Sequence, residues 1–303
     1  MTTPAVRVED LSKFYGDRRG LDGLTLEVEQ GEVFGYLGPN GAGKTTTIRL
    51  ILDLIRPTRG RVEVLGLDPR ADGVELRRRI GYLPGELVFD GRERADTFLD
   101  FLAEARGGVP RNRIEELAER LQLDLSRQIR GLSKGNKQKV GLVQAFMHQP
   151  ELLILDEPTT GLDPLMQREF LAMVQEAATG GQTVFMSSHV LAEVQSTADR
   201  VGIVREGKLV TVERVESLGK RAVRRVEIHF DSAVPAEAFE DLAGVREVDV
   251  NGASLTCTVD GQLDPLIKAA AQYTVIDMIS EEPDLEQTFL SYYYEGEAVL
   301  DVA

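Results

Sequence analysis

Gly38 to Thr45 read G-P-N-G-A-G-K-T, the spacing G-x-x-x-x-G-K-[ST], and these residue types at this spacing suit one chemistry. Glycines let backbone N–H groups close around a polyphosphate, and the start of a following helix adds partial positive charge. The loop Gly38, Pro39, Asn40, Gly41, Ala42 and Gly43 would wrap the phosphates. Lys44 would reach the β- and γ-phosphates, Thr45 would give its hydroxyl to Mg²⁺, and Thr46 would lie near the α-phosphate. A second stretch, L-L-I-L-D-E-P at Leu152–Pro158, ends an apolar run in two adjacent carboxylates. Asp156 at such a strand end can hold Mg²⁺, usually through water. Glu157 points elsewhere because successive strand residues alternate direction, so it is free to orient or deprotonate an attacking water.

These groups need elements to bring them together. L-T-L-E-V, the turn Gln30-Gly31 and E-V-F-G-Y-L read as a hairpin whose second strand runs into the glycine-rich loop. The following T-T-I-R-L-I-L-D-L-I has helical spacing and stops at Pro57. Further strands are expected near 61–65, 80–83, 152–155, 183–187 and 200–204. Helices are expected near 94–105, 111–121, 133–147, 165–178 and 190–197. Strands alternating with helices in this way indicate an α/β domain with a largely parallel sheet. After residue 218 the pattern shifts to β-α-β-β-α-β, with Asn251-Gly252 and Asp260-Gly261 as turns, which predicts a small α+β domain of ferredoxin-like arrangement over 219–303. A last helix is expected from about Pro283 to Tyr294, with Leu285, Phe289 and Tyr292–Tyr293 on one stripe.

Composition narrows the function classes. The chain has 303 residues and a formal net charge of −15, a balance that disfavours nonspecific nucleic-acid or anionic-membrane binding, which rests on clustered Lys and Arg. The longest stretch free of Asp, Glu, Lys and Arg, Ala177 to Ala192, is broken by Gly180-Gly181 and Ser187-Ser188, short of the roughly 18–20 apolar residues a membrane span needs. The N-terminus has no basic region followed by an apolar core, which predicts a chain that stays in the cytoplasm. The single cysteine, Cys257, fits a buried strand position and excludes an internal disulfide or zinc framework. His148 and His229 carry no site reading. Against this acidic background, three of the eight lysines sit in L-S-K-G-N-K-Q-K-V at Leu132–Val140. Read alone, the stretch is a helix start capped by Ser133 with a solvated basic face.

Taken in order, these motifs resemble those of the ATP-binding-cassette (ABC) ATPases, over Met1 to about Arg214. The order is K-F-Y-G, G-P-N-G-A-G-K-T-T, the loop after Ile80–Leu83, L-S-K-G-N-K-Q, L-I-L-D-E-P, G-L-D-P at Gly161–Pro164 and S-S-H at Ser187–His189. The wording is most similar to single-cassette ATPases of bacterial exporters of drugs and antibiotics, which also carry a C-terminal extension with a phrase like E-P-D-L-E-Q-T-F-L. The resemblance implies ATP as substrate, Mg²⁺ as cofactor, a helical subdomain over about 86–148 of a 1–218 nucleotide-binding domain, and an accessory, regulatory role for 219–303. It implies Tyr15 as the adenine platform, or Phe14 if the register is off by one. His189 becomes a hydrogen-bond partner for the γ-phosphate and water, beside Glu157 as catalytic carboxylate. Ser133, Gly135 and Asn136 belong to a signature loop that meets the γ-phosphate held by another subunit, Asp163 sits at that interface, and Lys137 and Lys139 are read as solvated.

The implied partners are transmembrane permease subunits and a second copy of itself or a paralogous ATPase, at the cytoplasmic side of the cell membrane, with no nucleic acid. One departure stands out. Where the resemblance calls for glutamine after the strand, the chain reads G-Y-L-P-G-E, so Gly85 takes that place. Glu86 is then either an oxygen ligand for the metal or its water, or a surface acid. The alternative class is a soluble, non-transport cassette ATPase of translation-factor or repair type. It is disfavoured by the single phosphate loop, the acidity and the absence of sustained heptads.

Overall fold

The computed structural model describes residues 3–89, 91–217 and 224–280. Strands β1 (Val6–Tyr15) and β2 (Arg18–Val28) pair antiparallel, with Val6 opposite Val28. Neither was paired in this way by the sequence reading, which set the end of β2 against β3 (Val33–Leu37) as a hairpin. Instead β1 and β2 join β4 (Arg59–Val64) in a three-stranded sheet of order β2-β1-β4, while β3 enters a different sheet. The reason is burial. Residues of β2 alternate buried and exposed along its C-terminal half, whereas all five residues of β3 are buried, as a strand covered on both faces requires.

That second sheet adds β5 (Ile80–Leu83), β6 (Leu152–Asp156), β7 (Thr183–Ser188), β8 (Arg200–Arg205) and β9 (Lys208–Arg214). Its order is β5-β6-β7-β3-β8-β9, and the pairings β5–β6, β6–β7, β7–β3 and β3–β8 are all parallel. Phe34 and Tyr36 of β3 lie 5.8 and 5.3 Å from the Phe185 ring of β7, so aromatic packing fixes the centre of the sheet. Register does the rest: Leu37 sits beside Ser188, and Asp156 beside Ser187. The loops after β3, β6 and β7 therefore leave from one edge.

Seven helices are described in this first unit, residues 1–213. They are α1 (Lys44–Ile51), α2 (Gly73–Arg79), α3 (Ala95–Ala105), α4 (Arg111–Arg120), α5 (Lys134–Phe146), α6 (Pro164–Thr179) and α7 (Leu191–Thr197). The sequence reading located all of these except α2. Helix α5 packs on β5, α3 and α4, which buries most of its circumference.

The second unit, residues 214–303, is described over 214–217 and 224–280. Its elements run β10 (Arg224–Phe230), α8 (Glu237–Glu240), β11 (Val245–Asn251), β12 (Ser254–Val259), α9 (Asp264–Ala270) and β13 (Val275–Ser280). The sheet is antiparallel in order β11-β12-β10-β13, and Val226, Ile228, Phe239, Leu255, Cys257 and Leu266 form its core. Cys257 is buried, and burial raises its thiol to a pKa of about 11. The expected helix from Pro283 to Tyr294 lies outside the described residues.

Candidate functional site

Helix α1 begins at the strand edge with Gly43 as its N-cap, at φ +109°. A side chain there is excluded twice, by the left-handed backbone and because a Cβ would stand 2.9 Å from the Gly20 carbonyl oxygen. No acidic residue occupies the first turn, so the positive end of the helix stays open to an anion. The Thr47 hydroxyl donates to the Gly43 carbonyl at 3.1 Å and lies 3.2 Å from the buried Tyr36 hydroxyl, which ties the turn to the core strand. Burial pushes the Tyr36 phenol well above its ordinary range.

Lys44 folds back over the loop. Its Nζ donates to the carbonyls of Gly38 at 2.6 Å and Pro39 at 3.2 Å, and lies 2.9 Å from Glu157 Oε1 as an ion pair. Glu157 Oε2 in turn is 2.5 Å from His189 Nδ1. The structure thus joins three residues that follow three different strands into one chain of contacts. Glu157 takes φ +49°, a left-handed conformation uncommon for a residue with a side chain. This turn, beyond simple strand alternation, separates its carboxylate from that of Asp156.

Asp156 is fully buried at the end of β6. Its Oδ1 accepts from the Ser187 hydroxyl at 2.6 Å, and that same hydroxyl oxygen accepts from the Glu157 backbone N–H at 3.0 Å. Asp156 Oδ2 is buried without a hydrogen-bond partner. Gly85 packs against it so closely that a Cβ would stand 3.1 Å from Oδ2. Glu86 is exposed and makes no hydrogen bond or ion pair among the described residues. Ser187 was quoted in the sequence motif but given no role. Only the register between β6 and β7 reveals one.

A cleft of about 590 Å³ opens over this edge. Tyr15, Pro39, Asn40, Gly41, Gly43, Lys44, Thr45, Thr46 and Glu157 line it, while Gly38 and Ala42 are buried beneath. Tyr15 is 49% exposed, with Lys13 Nζ 5.2 Å from its ring centre, and Phe14 does not line the cleft. Arg18, Arg19 and Arg49 also line it, and the sequence reading named none of them. The R-R pair opening β2 was the available signal.

The L-S-K-G-N-K-Q stretch lies elsewhere. Ser133 caps α5, accepting from the Asn136 N–H at 3.3 Å. A Cβ on Gly135 would stand 2.4 Å from the Gly161 carbonyl oxygen, so close approach of two backbones requires glycine there. Gln138 donates to the Pro158 carbonyl at 2.9 Å. Asp163 caps α6, its Oδ1 accepting from the N–H groups of Leu165 and Met166 at 3.1 and 3.0 Å. None of Ser133, Gly135, Asn136 and Asp163 lines the cleft of Lys44. Lys139, expected to be solvated, is 7% exposed, because neighbouring elements cover α5. His148 is half-buried beside Arg106, and His229 lies at the surface 3.2 Å from Glu227.

A parallel sheet whose strand edge presents a glycine-rich loop, a helix start, a lysine and a buried aspartate defines a phosphate-loop nucleoside triphosphatase. Residues 21–160 match the family model described as ABC transporter. The chain is 40% identical over 225 residues to the bacitracin transport ATP-binding protein BcrA of Bacillus licheniformis, covering 73% of this chain and 74% of that protein. It is 34% identical to the daunorubicin resistance ATP-binding protein DrrA3 of Streptomyces coeruleorubidus, over the whole of both chains. A solved ATP-binding subunit of an ABC transporter superposes with a TM-score of 0.66 at 32% identity, over 71% of this chain and 92% of that one. The chain belongs to the ABC transporter ATPases, as an ATP-binding and ATP-hydrolysing subunit. None of these relatives supports a translation-factor or repair ATPase.

The bridge made by Ser187 carries a direct expectation. Ser187→Ala leaves Asp156 Oδ1 and the Glu157 N–H without their shared partner, so the variant should lose about 1–3 kcal/mol of stability. Urea unfolding of the purified protein measures this, and a midpoint equal to that of the parent chain would remove the bridge from the account.

Proposed function

We propose that this chain drives export of a drug-like or antibiotic molecule through separate transmembrane permease subunits, at the cytoplasmic side of the cell membrane. The carrying observation is the match to the daunorubicin resistance ATP-binding protein over the full length of both chains, second unit included. No helix among the described residues is long and apolar enough to cross a membrane. An apolar groove of about 380 Å³, lined by Leu52, Leu54, Tyr82, Pro84, Leu87, Phe89, Phe98 and Leu102, borders the loop after β5 and is the proposed seat of that permease.

In the proposed site, adenine stacks on Tyr15 and the loop Gly38–Gly43 with the start of α1 wraps the phosphates. Lys44 exchanges Glu157 for the β- and γ-phosphates. Asp156 Oδ2, buried and unpartnered, fits a Mg²⁺ ion or its water, with the Thr45 hydroxyl as the second donor. Among the described residues no three acidic, His or Cys side chains converge. Mg²⁺ needs no such cage, since one or two carboxylates suffice beside substrate phosphates and water. The ion would neutralise charge growing on the β- and γ-phosphate oxygens. Asp156 carries this assignment better than exposed Glu86. Glu157, released from Lys44, accepts a proton from the water attacking the γ-phosphorus, and His189 holds Glu157 and the phosphate in line.

Ser133, Gly135 and Asn136 are proposed to meet the γ-phosphate of a second copy or a paralogous ATPase, with Asp163 at the same interface. The support is their exclusion from their own chain's cleft. For residues 219–303 the element order and the sheet order β11-β12-β10-β13 support a ferredoxin-like arrangement, and the role proposed for it is accessory, regulatory and dimer-stabilising.

Glu157→Gln should bind ATP as the parent does and turn over about 10²–10⁴-fold more slowly, because only the proton transfer is lost. Steady-state hydrolysis near the parent rate would refute the assignment. Mixing Ser133→Arg and Lys44→Ala subunits, each inactive alone, should restore activity at the one composite site where both halves are intact. Inactive mixtures with proven subunit exchange would count against contact in trans. Removing residues 219–303 should leave ATP affinity intact and weaken dimerisation or permease-coupled hydrolysis. If ATP binding fails, the two-domain reading fails with it.

A further inference from the structure

The apolar groove described above ends in two arginines, Arg77 and Arg106, and no acidic residue lines it. In a chain of net charge −15 this is an inversion of the general balance. Neither arginine has a carboxylate partner among the described residues. Arg106 is half-buried, and it meets its neighbours through one nitrogen alone. Nη1 donates to the carbonyls of Arg77 at 3.1 Å and Ile80 at 3.2 Å, and lies 2.8 Å from His148 Nε2. Its Nε and Nη2 make no hydrogen bond among the described residues. That pair of nitrogens is the edge of a guanidinium that takes a carboxylate in two parallel hydrogen bonds.

The neighbours keep Arg106 in this state. Burial and the adjacent guanidinium hold the His148 imidazole down to about 4, so it stays neutral and adds no charge beside Nη1, with its Nε2 also 3.2 Å from the Ile80 carbonyl oxygen. Burial also lowers the pKa of Arg106 itself, the mark of a cation with too little compensation. By contrast Arg79, Arg111 and Arg120 all hold carboxylates at the surface.

We propose that Arg106 selects the permease: the docking segment that fills the groove must present a carboxylate to Nε and Nη2 of Arg106, flanked by apolar side chains. This rests on the reading that the groove seats the permease, and adds to it the chemistry of the contact. Apolar walls exclude water, so the pair forms in low dielectric, where a matched carboxylate gains and an amide or ammonium leaves the guanidinium desolvated and alone. Discrimination against wrong permeases comes from that penalty. Arg77, exposed at the same end, adds long-range attraction.

The test uses the full-length protein and its transmembrane subunit in detergent, with affinity read by titration at two salt concentrations. ATP affinity serves as the folding control. Arg106→Met should weaken the complex by about tenfold or more and flatten its salt dependence, Arg106→Lys should lose less, and Arg106→Glu should lose most. Changing the cytoplasmic acidic residues of the permease to Lys one at a time should reveal one that restores binding to Arg106→Glu. Leu54→Asp, on the groove wall, reports the underlying reading separately. If Leu54→Asp abolishes the complex while Arg106→Met binds as the parent does, the groove stands and the carboxylate requirement falls. If Leu54→Asp binds normally, the docking reading itself falls. A complete acid scan without rescue also overturns the proposal.

Discussion

Everything in the nucleotide site depends on parallel strands buried on both faces. A strand covered on one side can shift or fray at its solvent face, but β3, β6 and β7 have no buried residue to spare: every position from Val33 to Leu37, Leu152 to Asp156 and Thr183 to Ser188 is buried. A one-residue slip would rotate each apolar set and break the stacking of Phe34, Tyr36 and Phe185. Register is therefore fixed, and with it the place of the polar residues at the strand ends. Asp156 and Ser187 lie side by side at the carboxyl ends of β6 and β7, so their hydrogen bond forms where the sheet ends. A buried carboxylate with one oxygen satisfied and the other free is tolerable only if a cation or water arrives to use it.

The second constraint is the backbone at Glu157. A left-handed residue directly after a strand costs on the order of 1–3 kcal/mol, and the surrounding contacts must hold it there. They do so from both sides. The Ser187 hydroxyl accepts the Glu157 N–H, and Gln138 reaches the following carbonyl from α5. The side chain then spans from Lys44 to His189, which places one carboxylate between a phosphate-binding cation and a residue of the next loop. In the proposed hydrolysis this carboxylate would have to lie near the γ-phosphate without being bound tightly by its partners. An ion pair that the phosphate can displace satisfies both demands.

What could be seen in the sequence follows from how local each signal is. The loop Gly38–Gly43, the lysine after it and the D-E pair are contiguous, and their chemistry does not depend on distant contacts. The helices carry local apolar periodicity and were found, apart from α2, a seven-residue helix with one buried residue, Leu76. The false hairpin between Leu24 and Leu37 failed because a turn signal reports only that the chain bends, not which strands pair afterwards. Ser187, Arg18, Arg19 and Arg49 were missed because each gains its role from residues far away in sequence. Lys139 was misread for the opposite reason: its own sequence looks solvated, and its burial comes only from the packing of α5 within the fold.

The same long-range contacts tie the L-S-K-G-N-K-Q stretch to the loop that carries Glu157. Gly135 lies so close to the Gly161 carbonyl that the two backbones cannot slide past each other independently, and Gln138 grips Pro158 three residues earlier in that loop. Asp163 then pins the end of the loop to α6 through two backbone N–H groups. The segment from Glu157 to Asp163 is thus held at its start, middle and end. Any force applied at the tip of α5, where Ser133 and Asn136 are exposed or half-exposed, acts on the backbone that sets the position of Glu157. Within one chain the two groups of residues remain too far separated to share a cleft, yet they are rigidly joined. In the proposed dimer, a phosphate bound by the tip of α5 would therefore press on a carboxylate that serves a different phosphate, an arrangement that would make two sites respond together.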